Sequence, residues 1–224
     1  EQGLFDLASE LIDVQAKRQL RKRDAWTGDP ELVEQFLAEF PYEDTPDQVE
    51  VTIEMARDLA SERPMDRLLC GDVGFGKTEM AVRAAFRVVS GGGQVAVLVP
   101  TTILAEQHLA TFRTRMADFP MVVRGLSRYT TPKEKKDTVA KLATGGVDVV
   151  IGTHRILGKD IKFKNLGMVV IDEEQRFGVT HKEHFKKLRA NVDMLTLTAT
   201  PIPRTLHMSL SGIRDISALN EAPP

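Results

Sequence analysis

At 224 residues, with 42% hydrophobic and 28% charged side chains, the composition excludes a disordered chain and a membrane-embedded one. No apolar run nears the roughly 20 residues of a spanning helix, no signal-peptide pattern opens the chain, and a single cysteine, Cys70, excludes an internal disulfide and fits a reducing, cytoplasmic setting. A formal net charge of −2 supplies no global attraction to nucleic acid, so any such contact needs a local face.

Leu4, Leu7, Leu11 and Val14 recur at spacings of three and four, which predicts a helix over residues 4–23. It ends in Lys17, Arg18, Arg21, Lys22 and Arg23. Cations there complement the helix dipole as a solvated face, or they contact DNA or a neighbouring domain. Asp29 before Pro30 suits an N-cap and first helical residue, and Leu32, Phe36, Leu37 and Phe40 supply the next apolar stripe. Residues 1–40 therefore read as a helical extension or linker, and residues 41–224 as the main domain.

From residue 67 the texture changes to short β-rich apolar runs at Arg67–Cys70, Val95–Val99, Met121–Leu126, Val147–Ile151, Met168–Ile171 and Met194–Thr198. Helical segments at Gly76–Val89, Ile103–Met116, Pro132–Leu142 and His181–Leu188 separate most of them. Near-continuous apolar strands alternating with helices predict an α/β domain: a parallel sheet with helices on both faces and ligands at the carboxyl ends of the strands.

The turn after the first run, Gly71-Asp72-Val73-Gly74-Phe75-Gly76-Lys77-Thr78, satisfies G-x-x-x-x-G-K-[ST], a phosphate-binding loop. Glycines let successive N–H groups point at phosphates from the positive end of the next helix. Gly74, Phe75, Gly76, Lys77, Thr78 and Glu79 are the candidate nucleotide contacts, with Lys77 reaching the β- and γ-phosphates and Thr78 placing its hydroxyl on Mg²⁺. Met168–Ile171 runs into Asp172-Glu173-Glu174-Gln175. Behind a phosphate loop, Asp172 suits the metal and Glu173 the activation of water. Gln175 suits a γ-phosphate contact or a partner lobe, and Arg176 either touches DNA or braces the acidic loop. Thr198 and Thr200 end another strand, where two hydroxyls couple a nucleotide site to a moving element or merely cap a helix followed by Pro201.

Together, Gly71–Thr78, Asp172–Gln175 and Thr198–Thr200 resemble motifs I, II and III of superfamily 2 helicases; Pro100-Thr101-Thr102 resembles motif Ia and Gly152-Thr153-His154 a further DNA-strand motif. The chain is similar to the first, RecA-like lobe of that superfamily's two-lobed motor. Arg63–Asp72 and Asp172–Val179 narrow the resemblance to RecG-type branch-migration helicases and bacterial transcription-repair coupling factors; Phe75, Arg83–Phe86 and Met208–Ile216 resemble the coupling factors more closely.

The resemblance implies ATP and Mg²⁺ as cofactors, double-stranded DNA as track, and a second motor lobe further along the same polypeptide. It also implies RNA polymerase and an excision-repair factor as partners, reached through modules outside this segment. It casts Phe40 and Gln48 as adenine contacts, Phe40 stacking and Gln48 bonding the base edge, although Thr45-x-x-Gln48 is equally a capping box. Thr101, Thr102, Arg128, Thr153, His154 and Arg155, each following a strand other than the one feeding the phosphate loop, are the candidate DNA contacts. A P-loop kinase or a regulatory nucleotide-binding module would share residues 71–78 but would not need these elements.

Overall fold

The computed structural model describes residues 12–200 and 214–223. Leu4, Leu7, Leu11, Pro201 and most of Met208–Ile216 therefore lie outside the described residues. The helices are α1 (12–20), α2 (Pro30–Ala38), α3 (Pro46–Ala60), α4 (Lys77–Ser90), α5 (Thr102–Arg115), α6 (Pro132–Thr144) and α7 (Val179–Arg189). The strands are β1 (Asp66–Gly71), β2 (Gln94–Leu98), β3 (Val123–Leu126), β4 (Val149–Gly152), β5 (Leu166–Asp172), β6 (Asp193–Thr198) and β7 (Asp215–Leu219). No helix among the described residues is long and apolar enough to cross a membrane.

Local chemistry sets the helix starts. The Asp29 carboxylate accepts from the N–H groups of Glu31 and Leu32 ahead of α2, with Pro30 at the first position. Thr45 with Gln48, and Thr131 with Glu134, form reciprocal capping boxes at α3 and α6.

The seven strands form one sheet, ordered β3-β4-β2-β5-β6-β1-β7, with every pairing parallel. Side-chain alternation divides the central strands β2, β4 and β5 between two cores. Val95, Val97, Val149, Ile151, Met168 and Val170 enter one, with Phe36, Phe86 and Phe112. Ala96, Leu98, Val150, Val169 and Ile171 enter the other, with Leu142, Phe177 and Phe185. Both faces are thus covered, as the apolar runs require.

The sequence reading identified six strands, and the structure adds β7. This edge strand is half exposed and pairs only with β1, so its Asp-Ile-Ser-Ala-Leu sequence lacks the continuous apolar signal of its neighbours.

The leading segment differs from its expected form. The helix ends at residue 20, three residues early. Arg18 is only 4% exposed and donates to the carbonyls of Pro64 and Met65. Arg23 turns inward to a bidentate pair with the fully buried Asp193, 2.7 Å for each bond. The same carboxylate accepts from Trp26 Nε1 at 3.2 Å and the Met65 N–H at 2.6 Å. Burial raises the Asp193 pKa, and the Arg23 pair opposes that shift. Lys17 and Lys22 do lie on the surface, paired with Asp13 and Glu62. Trp26 and Phe36 belong to the same core as the sheet.

Candidate functional site on the carboxyl rim of the sheet

Because every strand is parallel, every carboxyl end lies on one rim. Three adjacent strands, β5, β6 and β1, end in Asp172, Thr198 and the loop 71–78. Three more, β3, β4 and β2, end near Arg128, Thr153–Arg155 and Thr101–Thr102, and β7 forms the far edge beside β1. The order in the chain interleaves these two sets, and the fold sorts them.

The phosphate loop owes its shape to Gly74 at φ 88° and Gly76 at φ 90°, both in the left-handed region open to glycine. At Gly76 a Cβ would also run into the Gln48 amide. Gly76 caps α4, and the first helical bond runs from the Met80 N–H to the Gly76 carbonyl. The N–H groups of Lys77, Thr78 and Glu79 therefore face the loop without helical partners, at the positive end of the dipole. Lys77 Nζ donates to the carbonyls of Gly71 at 2.5 Å and Asp72 at 2.7 Å. Partial burial lowers its pKa, while Asp172, Glu173 and Asp72 act oppositely. The ammonium thus lies within the field of both acidic residues.

Asp172 is the last residue of β5, and its Oδ2 lies 2.9 Å from His108 Nε2. Glu173 leaves the strand at φ 51°, ψ 48°, the one described non-glycine residue with positive φ. A left-handed carboxylate residue costs about 1 kcal/mol or more, so the surrounding bonds must hold it. Its N–H donates to Leu197 O, and Gln175 Nε2 donates to its Oε2 at 2.6 Å. Gln175 thus orients Glu173. The acidic loop is braced by Arg189, which bonds Glu174 at 2.6 Å, while Arg176 is exposed. Thr198 Oγ1 accepts from the Thr200 N–H at 3.1 Å.

Gln48 forms its capping box and reaches the phosphate loop at the same time. Its Oε1 accepts from the Thr45 N–H, and its Nε2 donates to Phe75 O at 3.1 Å. Phe40 lies under two guanidinium groups, 4.7 Å from Arg83 and 5.3 Å from Arg115. Both Glu79 oxygens are taken by Arg83 and Arg115 at 3.0 Å, so only its backbone N–H is left for the loop. Arg83 also holds Asp44 bidentately at 2.8 Å.

On the other half of the rim, Thr101 caps α5 by accepting from the Leu104 N–H, which leaves its hydroxyl proton to give. Thr102 begins the helix. Arg128 is exposed, its guanidinium 5.6 Å from the Tyr129 ring. Thr153 is buried, His154 is exposed and stacks on His181 at 5.4 Å, and Arg155 is paired with Asp160 at 2.8 Å.

His108, Arg83 and Arg115 were missed by the motif reading. Each sits inside a helix and has a partner distant in the chain, His108 with Asp172, Arg115 with Glu79 and Arg83 with Asp44 in addition to its local pair with Glu79, and local spacing carries no signal of the distant contacts.

For a triphosphate with a divalent cation, the groups present fit. Loop N–H groups and Lys77 suit phosphate oxygens, and the Thr78 hydroxyl and Asp172 carboxylate are hard oxygen donors. No cluster of three or more acidic, His or Cys ligands occurs among the described residues, so phosphates and water would complete the shell of an ion here.

Residues 45–209 match the family model for DEAD/DEAH box helicases. Over all 224 residues the chain is 55% identical to the transcription-repair-coupling factor of Bacillus subtilis (strain 168) and 56% identical to that of Staphylococcus aureus (strain USA300), spanning 19% of each. It also aligns with a structure of RecG bound to a three-way DNA junction, at 36% identity and a TM-score of 0.77, covering 96% of this chain and 30% of that one. With a RecA-like parallel sheet, a phosphate loop and an acidic strand end on one rim, this chain belongs to the DEAD/DEAH box helicases.

Proposed function

We propose that this chain is the ATP-binding lobe of a DNA translocase that acts on stalled RNA polymerase in transcription-coupled repair. The observation that carries the reading is that Lys77, at the N-terminus of α4 after β1, and Asp172 and Glu173, at the end of β5, share one rim of the sheet with only β6 between their strands. The N–H groups of residues 74–79 and the Lys77 ammonium bind the phosphates. Thr78 and Asp172 hold Mg²⁺, which supplies charge neutralisation at the phosphate oxygens when bound. Glu173, aimed by Gln175, accepts the proton of the attacking water. Phe40 and Gln48 take the adenine. Thr198, Thr200 and Gln175 pass the state of this site to a second lobe.

Thr101, Thr102, Arg128, Thr153, His154 and Arg155 line the DNA half of the rim. Hydroxyls, N–H groups and a few cations suffice to grip a backbone whose sequence is not read. The relatives' names point to the process, RNA polymerase and repair factors being engaged by regions beyond this segment in a cytoplasmic protein. An arginine finger from another lobe is worth about 10³–10⁵ in rate, so this lobe alone binds nucleotide and turns it over slowly.

The test compares nucleotide affinity and steady-state ATPase with and without the second lobe. Binding weakened in Lys77→Ala and turnover restored by the second lobe are expected. Robust DNA-stimulated hydrolysis by this chain alone, or unchanged affinity in Lys77→Ala, overturns the reading.

A further inference from the structure

We infer that His108 is a positioning residue for the metal carboxylate, and that it ties Asp172 to the helix whose first turn faces DNA. This rests on the nucleotide-site reading above and adds a residue to it.

His108 sits on the buried face of α5, 4% exposed, with Nε2 2.9 Å from Asp172 Oδ2. A carboxylate oxygen only accepts, so Nε2 carries the proton in this bond. Nδ1 is equally buried and has no hydrogen-bond partner among the described residues. A histidine kept for packing alone would satisfy both nitrogens or be replaced by an apolar side chain, since an unpartnered buried polar atom costs stability. Among the described residues the imidazole makes one polar contact, and that contact is the carboxylate. Holding Oδ2 from the side fixes the rotation of the Asp172 carboxyl and leaves Oδ1 for a cation. Partners of this kind around metal ligands typically change metal affinity 10–100-fold when removed.

The position of His108 on α5 gives the contact a second consequence. Thr101 caps this helix and Thr102 opens it, about 9 Å along the axis from His108. Further along, Arg115 grips Glu79 of α4, the helix that follows the phosphate loop. One rigid helix therefore touches the DNA half of the rim with its start, the acidic strand end with its middle and the phosphate-loop helix with its end. A shift of its first turn under a bound backbone is carried to Asp172 through the imidazole.

The experiment measures binding of a fluorescent ATP analogue to this chain across a Mg²⁺ titration and in EDTA, for parent, His108→Leu, His108→Gln and Asp172→Asn. Gln reaches with an N–H donor where Leu cannot. In His108→Leu the half-saturating Mg²⁺ concentration rises at least tenfold while EDTA binding stays within twofold, and His108→Gln recovers most of the difference. Should His108→Leu fail to fold by circular dichroism, His108→Met serves as the donor-free variant. A Mg²⁺ dependence unchanged in the donor-free variant, or shifted equally in His108→Gln, overturns the inference alone. A parent without Mg²⁺-dependent binding, or an Asp172→Asn indifferent to Mg²⁺, overturns the nucleotide-site reading and this inference with it.

Discussion

The two halves of the rim are built to different tolerances. Around β5, β6 and β1 the acidic and amide side chains are each held: Asp172 by His108, Glu173 by Gln175, Glu174 by Arg189, and Gln48 by the backbone groups of Thr45 and Phe75. That half also holds three left-handed residues, Gly74, Gly76 and Glu173, the last at a conformational cost. Around β3, β4 and β2 the candidates are helix caps, an exposed arginine and an arginine already paired with an aspartate. A triphosphate offers one geometry and rewards a preorganised site. A sliding polyanion offers a repeating one and is served by spaced donors that tolerate slippage.

The sharpest break in this comparison is Glu173→Gln in the two-lobed protein. General-base loss should lower turnover by about 10²–10⁴ while ATP binding persists, and a stopped-turnover assay with parallel binding reads both. Next comes Arg23→Gln, remote from the rim, which strands a buried carboxylate and should cost about 3–5 kcal/mol in urea unfolding. The folded pKa of Asp193 lies above its unfolded value, so the folded state binds that proton more tightly and stability falls as pH rises through the interval. Without Arg23 the shift grows, so the deficit should widen as pH rises above the ordinary carboxylate range. A deficit that narrows with pH would mean that the carboxylate is not the stranded group.

Lys77→Ala should weaken ATP by roughly 10–100-fold, the worth of a charge-assisted bond of about 1.5–3 kcal/mol. Its DNA affinity should be untouched, which separates the two halves. Arg128→Ala sits at the small end. It should lower the salt dependence of DNA binding by about one phosphate contact and leave nucleotide affinity unchanged. A change in nucleotide affinity there would merge the halves.

Much of the fold was legible in the sequence for a simple reason. Central parallel strands are apolar on both faces, so β2, β4, β5 and β6 stand out as continuous runs. The phosphate loop was legible because positive φ demands glycine at fixed spacing. β7 was not, since this edge strand carries only Ile216, Ala218 and Leu219 as apolar residues and one of the two side chains it buries is the polar Ser217. His108 and Arg23 were not either, because their partners are 64 and 170 residues away and no local periodicity encodes a long-range pair. At Gln48 the capping box that local spacing predicted is present, and the same amide also reaches the phosphate loop through the Phe75 carbonyl, which local spacing did not signal.

The Arg23–Asp193 lock has a mechanical consequence. Asp193 opens β6 and Thr198 closes it, so the leader is fastened to one end of a stiff tie-rod about 20 Å long whose other end lies between the phosphate loop and the acidic strand end. A strand flanked by two hydrogen-bonded neighbours bends far less readily than a loop, so tension on the leader follows this load path into the motor's working edge instead of dissipating at a hinge.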